Sequence, residues 1–266
     1  MICMLFCNPI FADSSIPRLP NGKPDFNGVW QVLNTANYDI EPHAARASLQ
    51  LREGPNGLLF PAEEIIKLGT VASVPAGKGV IEGDNIPYQE WALKKRDENR
   101  ANYLALDPEI KCYLPGVPRA TYMPFPLQII QSDKSFFIAY EYAGATRNIF
   151  LEDPGPAPID SWMGQSFGKW DGDTYVIEVT GQNNQTWFDR AGNFHSEEMR
   201  VIEKYTLASP NLIRYEATVE DSKVFTKPWT LSMNLYRRQG EDAQLLQFKC
   251  IEFVEELLYG HLRKKR

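Results

Sequence analysis

The sequence is poor in the residues that build metal centres. It carries three histidines and four cysteines in 266 residues. There is no Cys-x-x-Cys, and no two histidines lie within a helical turn of each other, so the spacings of zinc sites are missing. His43, His195 and His261 with a carboxylate are the remaining route to a metal, and nothing in their spacing favours it; no cofactor is expected. A basic stripe is also lacking. The formal net charge is −6 and the pI is about 5.3, and the one cationic run, residues 263–266, reads as a solvated tail. Such a chain is a poor partner for a phosphate backbone, which argues against nucleic acid. No stretch reaches the roughly 18–20 apolar residues that span a bilayer. Glycine-rich phosphate cradles, dinucleotide fingerprints, EF-hand loops, internal repeats and low-complexity tracts are all missing.

What is present points to an exported β domain. Hydrophobic residues make up 43% of the chain and aromatics 12%, enough for a continuous core. The apolar run 1–12, ending in Ile10-Phe11-Ala12 before polar Asp13-Ser14-Ser15, resembles the h-region and cleavage site of a secretory signal. That places the protein in the periplasm or the medium. Without this segment two cysteines remain, Cys112 and Cys250, an even pair suited to one long-range disulfide in an oxidising compartment; two buried free thiols are the alternative. Residues 13–266 read as a single domain, with an irregular and helical part over 34–124. Helices are expected at Pro61–Leu68 and Tyr88–Leu106, the second with a ragged apolar stripe that suits a peripheral position.

From Phe125 to about Phe253 the hydrophobic period is two. Strands are expected at Phe26–Leu33, Ser135–Ala143, Tyr175–Thr180, Met199–Thr206, Ile213–Asp221, Trp229–Arg238 and Gln244–Phe253. Turn residues separate them, among them Trp170-Asp171-Gly172-Asp173, where Asp-Gly is a hairpin signal. Sequential hairpins without intervening helices describe an antiparallel up-and-down meander closing into a barrel, with a β-sandwich as the alternative. Two loops interrupt it: Pro-rich 152–164, and 181–197, dense in Trp, Phe, Asp, Arg and His.

Phe26-x-Gly28-x-Trp30 resembles the opening strand of lipocalins and other calycins. That likeness implies a barrel in which an arginine of a late strand packs over the tryptophan; Arg237, in phase with Trp229, Leu231, Met233 and Leu235, matches it. A second likeness covers most of the chain. Cys112 to Arg119, Gly164 to Thr174 and Thr186 to Ser196 resemble elements of a family of secreted bacterial proteins of unassigned activity, which implies export but no chemistry.

Gly164-Gln165-Ser166-Phe167-Gly168 spells a nucleophile elbow, but a Pro-rich loop precedes it and a hairpin follows, so the strand–turn–helix context is wrong. Its glycines suit a strand that bends or approaches a neighbour closely. The candidate catalytic group is instead His195 for proton transfer, Asp189 to orient it, Arg190 to hold an anion and Glu203 as a second carboxylate. The alternative is a structural loop with every group satisfied. Trp162, Trp187, Phe188, Tyr122, Arg237 and Glu252 are candidate ligand contacts. If Glu203, Glu252 and Glu141 face inward, burial raises their pKa unless Arg147 or Arg237 pairs with them. The expected function is binding of a small, partly apolar aromatic or isoprenoid-like molecule, with acid–base lyase, isomerase or hydratase chemistry on it. The rivals are a non-catalytic carrier or sensor, and an envelope protein docking a partner through the 152–164 loop. Oligomeric state is left open.

Overall fold

The computed structural model describes residues 15–45, 74–83 and 85–252. The segment 1–12, the expected helix Pro61–Leu68, His261 and the basic run 263–266 lie outside them.

Nine strands close into one barrel in chain order: β1 Gly28–Val32, β2 Leu127–Gln131, β3 Phe136–Tyr140, β4 Thr146–Phe150, β5 Gln165–Asp171, β6 Thr174–Thr180, β7 Arg200–Ser209, β8 Leu212–Glu220 and β9 Trp229–Arg237. Adjacent strands are antiparallel except β4 and β5, which run parallel and share only Ile149↔Ser166 and Phe150↔Phe167. Closure is made by β1 against β9, with Trp30 opposite Arg237. The architecture is the calycin-like barrel; helices α1 Glu90–Ala101 and α2 Tyr103–Leu106 are peripheral, while the single turn α3 Arg119–Tyr122 is buried.

Period two explains the ladders from β6 to β9. Tyr175, Ile177 and Val179 of β6, Val201, Glu203 and Tyr205 of β7, and Ile213, Tyr215 and Ala217 of β8 are buried, while their neighbours in sequence are more exposed. Alternating residues point to opposite faces, so one register buries one face throughout. Gly172, at φ +59°, occupies the two-residue turn between β5 and β6, a conformation glycine adopts without steric cost.

The Phe-x-Gly-x-Trp segment has a physical account. The Trp30 indole N–H donates to the Phe26 carbonyl at 2.8 Å. The Arg237 guanidinium lies 4.2 Å from the Trp30 ring centroid and donates to the carbonyls of Pro210 and Asn27. A Cβ on Gly28, at φ +140°, would collide with that guanidinium. Arg237, expected as a ligand contact, therefore seals the closure of β1 on β9, with its guanidinium engaged by Trp30, Pro210 and Asn27.

One expected strand is replaced by a strap. Residues 244–252 alternate in burial to some extent but pair with no strand, because closure of β1 on β9 leaves no free edge. The segment crosses the outside of the barrel instead. Leu246 N–H donates to Glu141 at 2.7 Å, and Phe248 packs on Phe125 and Tyr142 with ring centroids 4.9 Å apart in each case. Cys250 is bonded to Cys112, with Cα atoms 5.6 Å apart. Glu141 thus belongs to the outer face, with Phe137 and Ala139. Glu252 is exposed beyond the strap and reaches no interior site.

Candidate binding cleft

One end of the barrel is covered by residues 33–45, the helical region and the loops 181–199 and 221–228. The expected catalytic loop lies here, and its groups are held in structural roles. The His195 Nδ1 faces the Ser196 carbonyl at 2.8 Å and Nε2 faces Thr186 Oγ1 at 2.6 Å. A carbonyl only accepts, so Nδ1–H donates and Nε2 accepts from Thr186; burial also lowers the imidazole pKa. Asp189 does not orient His195. Its carboxylate accepts N–H bonds from Ile40, Ala191 and Asn193 and from the Asn193 side chain. Burial and neighbouring Asp39 push Asp189 up to about 7 against these donors.

Arg190 points to Glu109, with bonds of 2.7 and 3.0 Å. Buried Arg119 binds the same carboxylate at 2.6 Å and forks onto Asp107. Burial alone would raise Glu109, but Arg190 and Arg119 outweigh it and hold the carboxylate at about 2. A carboxylate depressed in the fold stabilises it above its unfolded pKa, and that stabilisation is lost as pH falls through the folded one. Glu109→Gln is expected to cost about 3 kcal/mol at pH 7 by removing the buried charge that Arg119 and Arg190 share. In urea titrations the gap from wild type should shrink as pH falls from 4.5 towards 2. An undiminished gap at the acid end would assign the loss to shape and not to charge.

Inside the barrel, Glu203 faces inward as expected, but in a closed network. Arg147 Nη2 lies 2.6 Å from Glu203 Oε2. Arg147 also reaches Ser166 Oγ through Nε and Nη2, and Tyr140 Oη and Glu203 Oε1 through Nη1. That accounts for all five guanidinium N–H groups. Tyr205 and Tyr215 donate to Glu203 Oε1, which Arg147 Nη1 also reaches, at 3.1 and 2.8 Å. Ser166 is thus an arginine acceptor on an inward strand position, not an activated nucleophile.

Of the expected ligand contacts, Phe188 and Tyr122 are core. Phe188 packs on His195 and Trp229, and the Tyr122 hydroxyl donates to the Phe188 carbonyl at 2.8 Å. Trp162 packs on Tyr113 at 4.8 Å, beside the Pro-rich loop, which roofs a cleft of about 320 Å³ over β4 and β5. Trp187 walls a shallow cleft of about 250 Å³ with Lys95, Lys111 and Tyr113. A polar cleft of about 480 Å³ is lined by Asp39, Glu41, His43 and Arg100. Its carboxylates already bind Arg100, Arg96 and main-chain N–H groups. Among the described residues no three His, Cys, Asp or Glu side chains form a metal-ligand group.

A cleft with an aromatic cluster beside it lies at the opposite end of the barrel and was not among the sequence expectations. It measures about 280 Å³, and Phe136, Trp170, Tyr175 and Leu151 line it together with polar residues of the 131–135 turn and Lys169. Phe136 and Tyr175 stack at 4.2 Å, and Trp170 sits 4.9 Å from Tyr175. Phe26 backs Phe136 and Trp170. The leader braces the rim through Arg18–Asp173 and Asn21–Asp133, while Lys23 lies 5.1 Å over the Trp170 ring. The Tyr175 hydroxyl is buried and makes no hydrogen bond, and burial raises its pKa. A side chain on Gly168 would occupy the position of that hydroxyl. The available sequence signal was the turn at 172–173, which sets Trp170 opposite Tyr175. Comparisons with protein-family models, curated proteins and solved structures return no match.

Proposed function

We propose that this chain is an exported binding protein that captures a small, planar, partly apolar molecule in the Phe136–Trp170–Tyr175 cleft and releases it unchanged. The observation that carries this reading is a ligand-sized cleft in which Trp170, Leu151 and the edges of Phe136 and Tyr175 meet polar Gln131, Ser132 and Ser135; aromatic walls with placed polar groups are a usual make-up of such sites. A cavity of about 150 Å³ holds benzene, so this recess suits one ring or two fused rings. Binding without chemistry is favoured because His195, Asp189, Arg190 and Glu203 are engaged with protein partners. None of them lines the aromatic cleft. Export is supported by the Cys112–Cys250 bridge, since disulfides persist in oxidising compartments. Among the described residues no helix is long and apolar enough to cross a membrane.

Native mass spectrometry of protein from its own source, before and after denaturation, should reveal a bound molecule. Naphthalene should then bind the emptied protein. It should fail to bind Leu151→Trp, which fills the mouth from a position 42% exposed and leaves the melting temperature unchanged. Equal naphthalene binding by wild type and Leu151→Trp would remove the cleft as the site. Recovery of a chemically altered ligand would restore the catalytic reading.

A further inference from the structure

We infer that the cleft beside Trp187 is a second binding site, for a small organic acid. Its carboxylate meets Lys111 and Lys95, and its short apolar body lies against Trp187, Leu106, Pro108 and Tyr113. The site is separate from the aromatic cleft and does not depend on it. The observation that carries it is an unpaired cation. Among the described residues, every other lysine or arginine that is buried or half-buried is held by a carboxylate, a carbonyl or an aromatic ring. Lys111 is half-buried, yet its ammonium makes neither an ion pair nor a hydrogen bond.

The surroundings of that charge set the ligand class. The chain carries a net charge of −6, but no aspartate or glutamate lines this cleft of about 250 Å³. Lys95 is held only by an exposed pair with Glu98 at 3.7 Å, a contact worth little in water. Two ammonium groups with no carboxylate between them favour an anion. Lys111 is also fixed in place. Lys111 and Tyr113 both donate main-chain N–H bonds to the Pro108 carbonyl, and Cys112 between them takes φ +60°. A left-handed residue other than glycine persists only where its surroundings fix it; Cys112 is tied to Cys250. The apolar wall then separates an organic acid from an inorganic anion. A bare anion would give up hydration against Trp187 and Leu106 and gain no contact there. A cavity of about 150 Å³ holds benzene, so one ring with an acid side arm fits.

The test is a chemical-shift titration of the full chain with phenylacetate, its neutral analogue phenylacetamide, and sulfate. Phenylacetate should move the Trp187 indole and the amide resonances of 109–113. It should bind about tenfold more tightly than phenylacetamide, the value of one hydrogen bond to a charge. Lys111→Gln should lose about the same factor and keep the wild-type melting temperature, because the ammonium supports no contact of the fold. Leu151→Trp, which fills the other cleft, should bind phenylacetate as wild type does. Absence of shifts with phenylacetate, equal affinity for acid and amide, or undiminished binding by Lys111→Gln would each overturn the site. Loss of binding in Leu151→Trp would place phenylacetate in the other cleft and overturn it as well. Sulfate binding as tightly as phenylacetate would overturn the organic-acid class and leave a bare anion site. Naphthalene binding is read separately, so the two sites stand or fall apart.

Discussion

Arg147→Met is expected to destabilise the protein by about 3–5 kcal/mol, the cost of leaving a buried charge without its partner. The guanidinium holds both Glu203 oxygens, Ser166 and Tyr140, so its removal leaves a buried carboxylate with two tyrosine hydroxyls. Urea titrations of the variant and wild type measure the deficit. Arg147→Met combined with Glu203→Leu should recover most of the loss, because a buried ion pair replaced by apolar groups of similar volume is often close to neutral. A double variant as unstable as the single one would mean that the network's shape, and not its charge balance, holds the barrel together.

Removing the Cys112–Cys250 bridge is expected to cost about 4–5 kcal/mol in the chain-entropy model. The bonded residues are 138 apart, and the loop they close contains eight of the nine strands, β2 to β9. Urea midpoints of the oxidised protein and of Cys112→Ser/Cys250→Ser measure the effect. The strap should be the first element to come free. Residues 244–252 pair with no strand, and the contacts of Phe248 with Phe125 and Tyr142 are their main aromatic anchor. Hydrogen exchange in the double variant should accelerate from Ala243 onward while β6 to β8 stay protected. A loss under about 1 kcal/mol would show that the strap is held by its own packing and that the bridge adds little to it.

The strands that were legible in the sequence are those whose inward residues are apolar. Tyr175-Ile177-Val179 and Ile213-Tyr215-Ala217 alternate cleanly between turns, so β6 and β8 stand out. β4 and β5 do not, because their inward positions include Arg147, Ser166 and Gly168, which read as loop or surface. The strap shows the opposite error: its partly alternating pattern was real, but whether a strand finds an edge depends on closure elsewhere in the barrel. Gly28 with Arg237 was readable because both partners of the stacking pair have recognisable phases.

The site was less legible for a similar reason. Asp189, Arg190 and His195 look reactive on one line of sequence, yet what satisfies Asp189 and Arg190 includes Ile40, 149 residues away, and Glu109, 81 residues away. Conversely, Phe136, Trp170 and Tyr175 look like ordinary core. What distinguishes them is the cleft that their edges share with the 131–135 turn, which brings together residues far apart in sequence.

The parallel junction of β4 and β5 has a mechanical consequence. It has two paired positions, where every other pair of neighbours has at least three, and a closed hoop yields at its weakest joint. Arg147 on one side grips Ser166 on the other, so a side chain serves as the clasp where the main chain is thinnest. The aromatic recess abuts this joint through Leu151 and Gly168. Opening the barrel here would mean parting that clasp and two paired positions, whereas the long ladders of β6 to β9 would have to lose six or more.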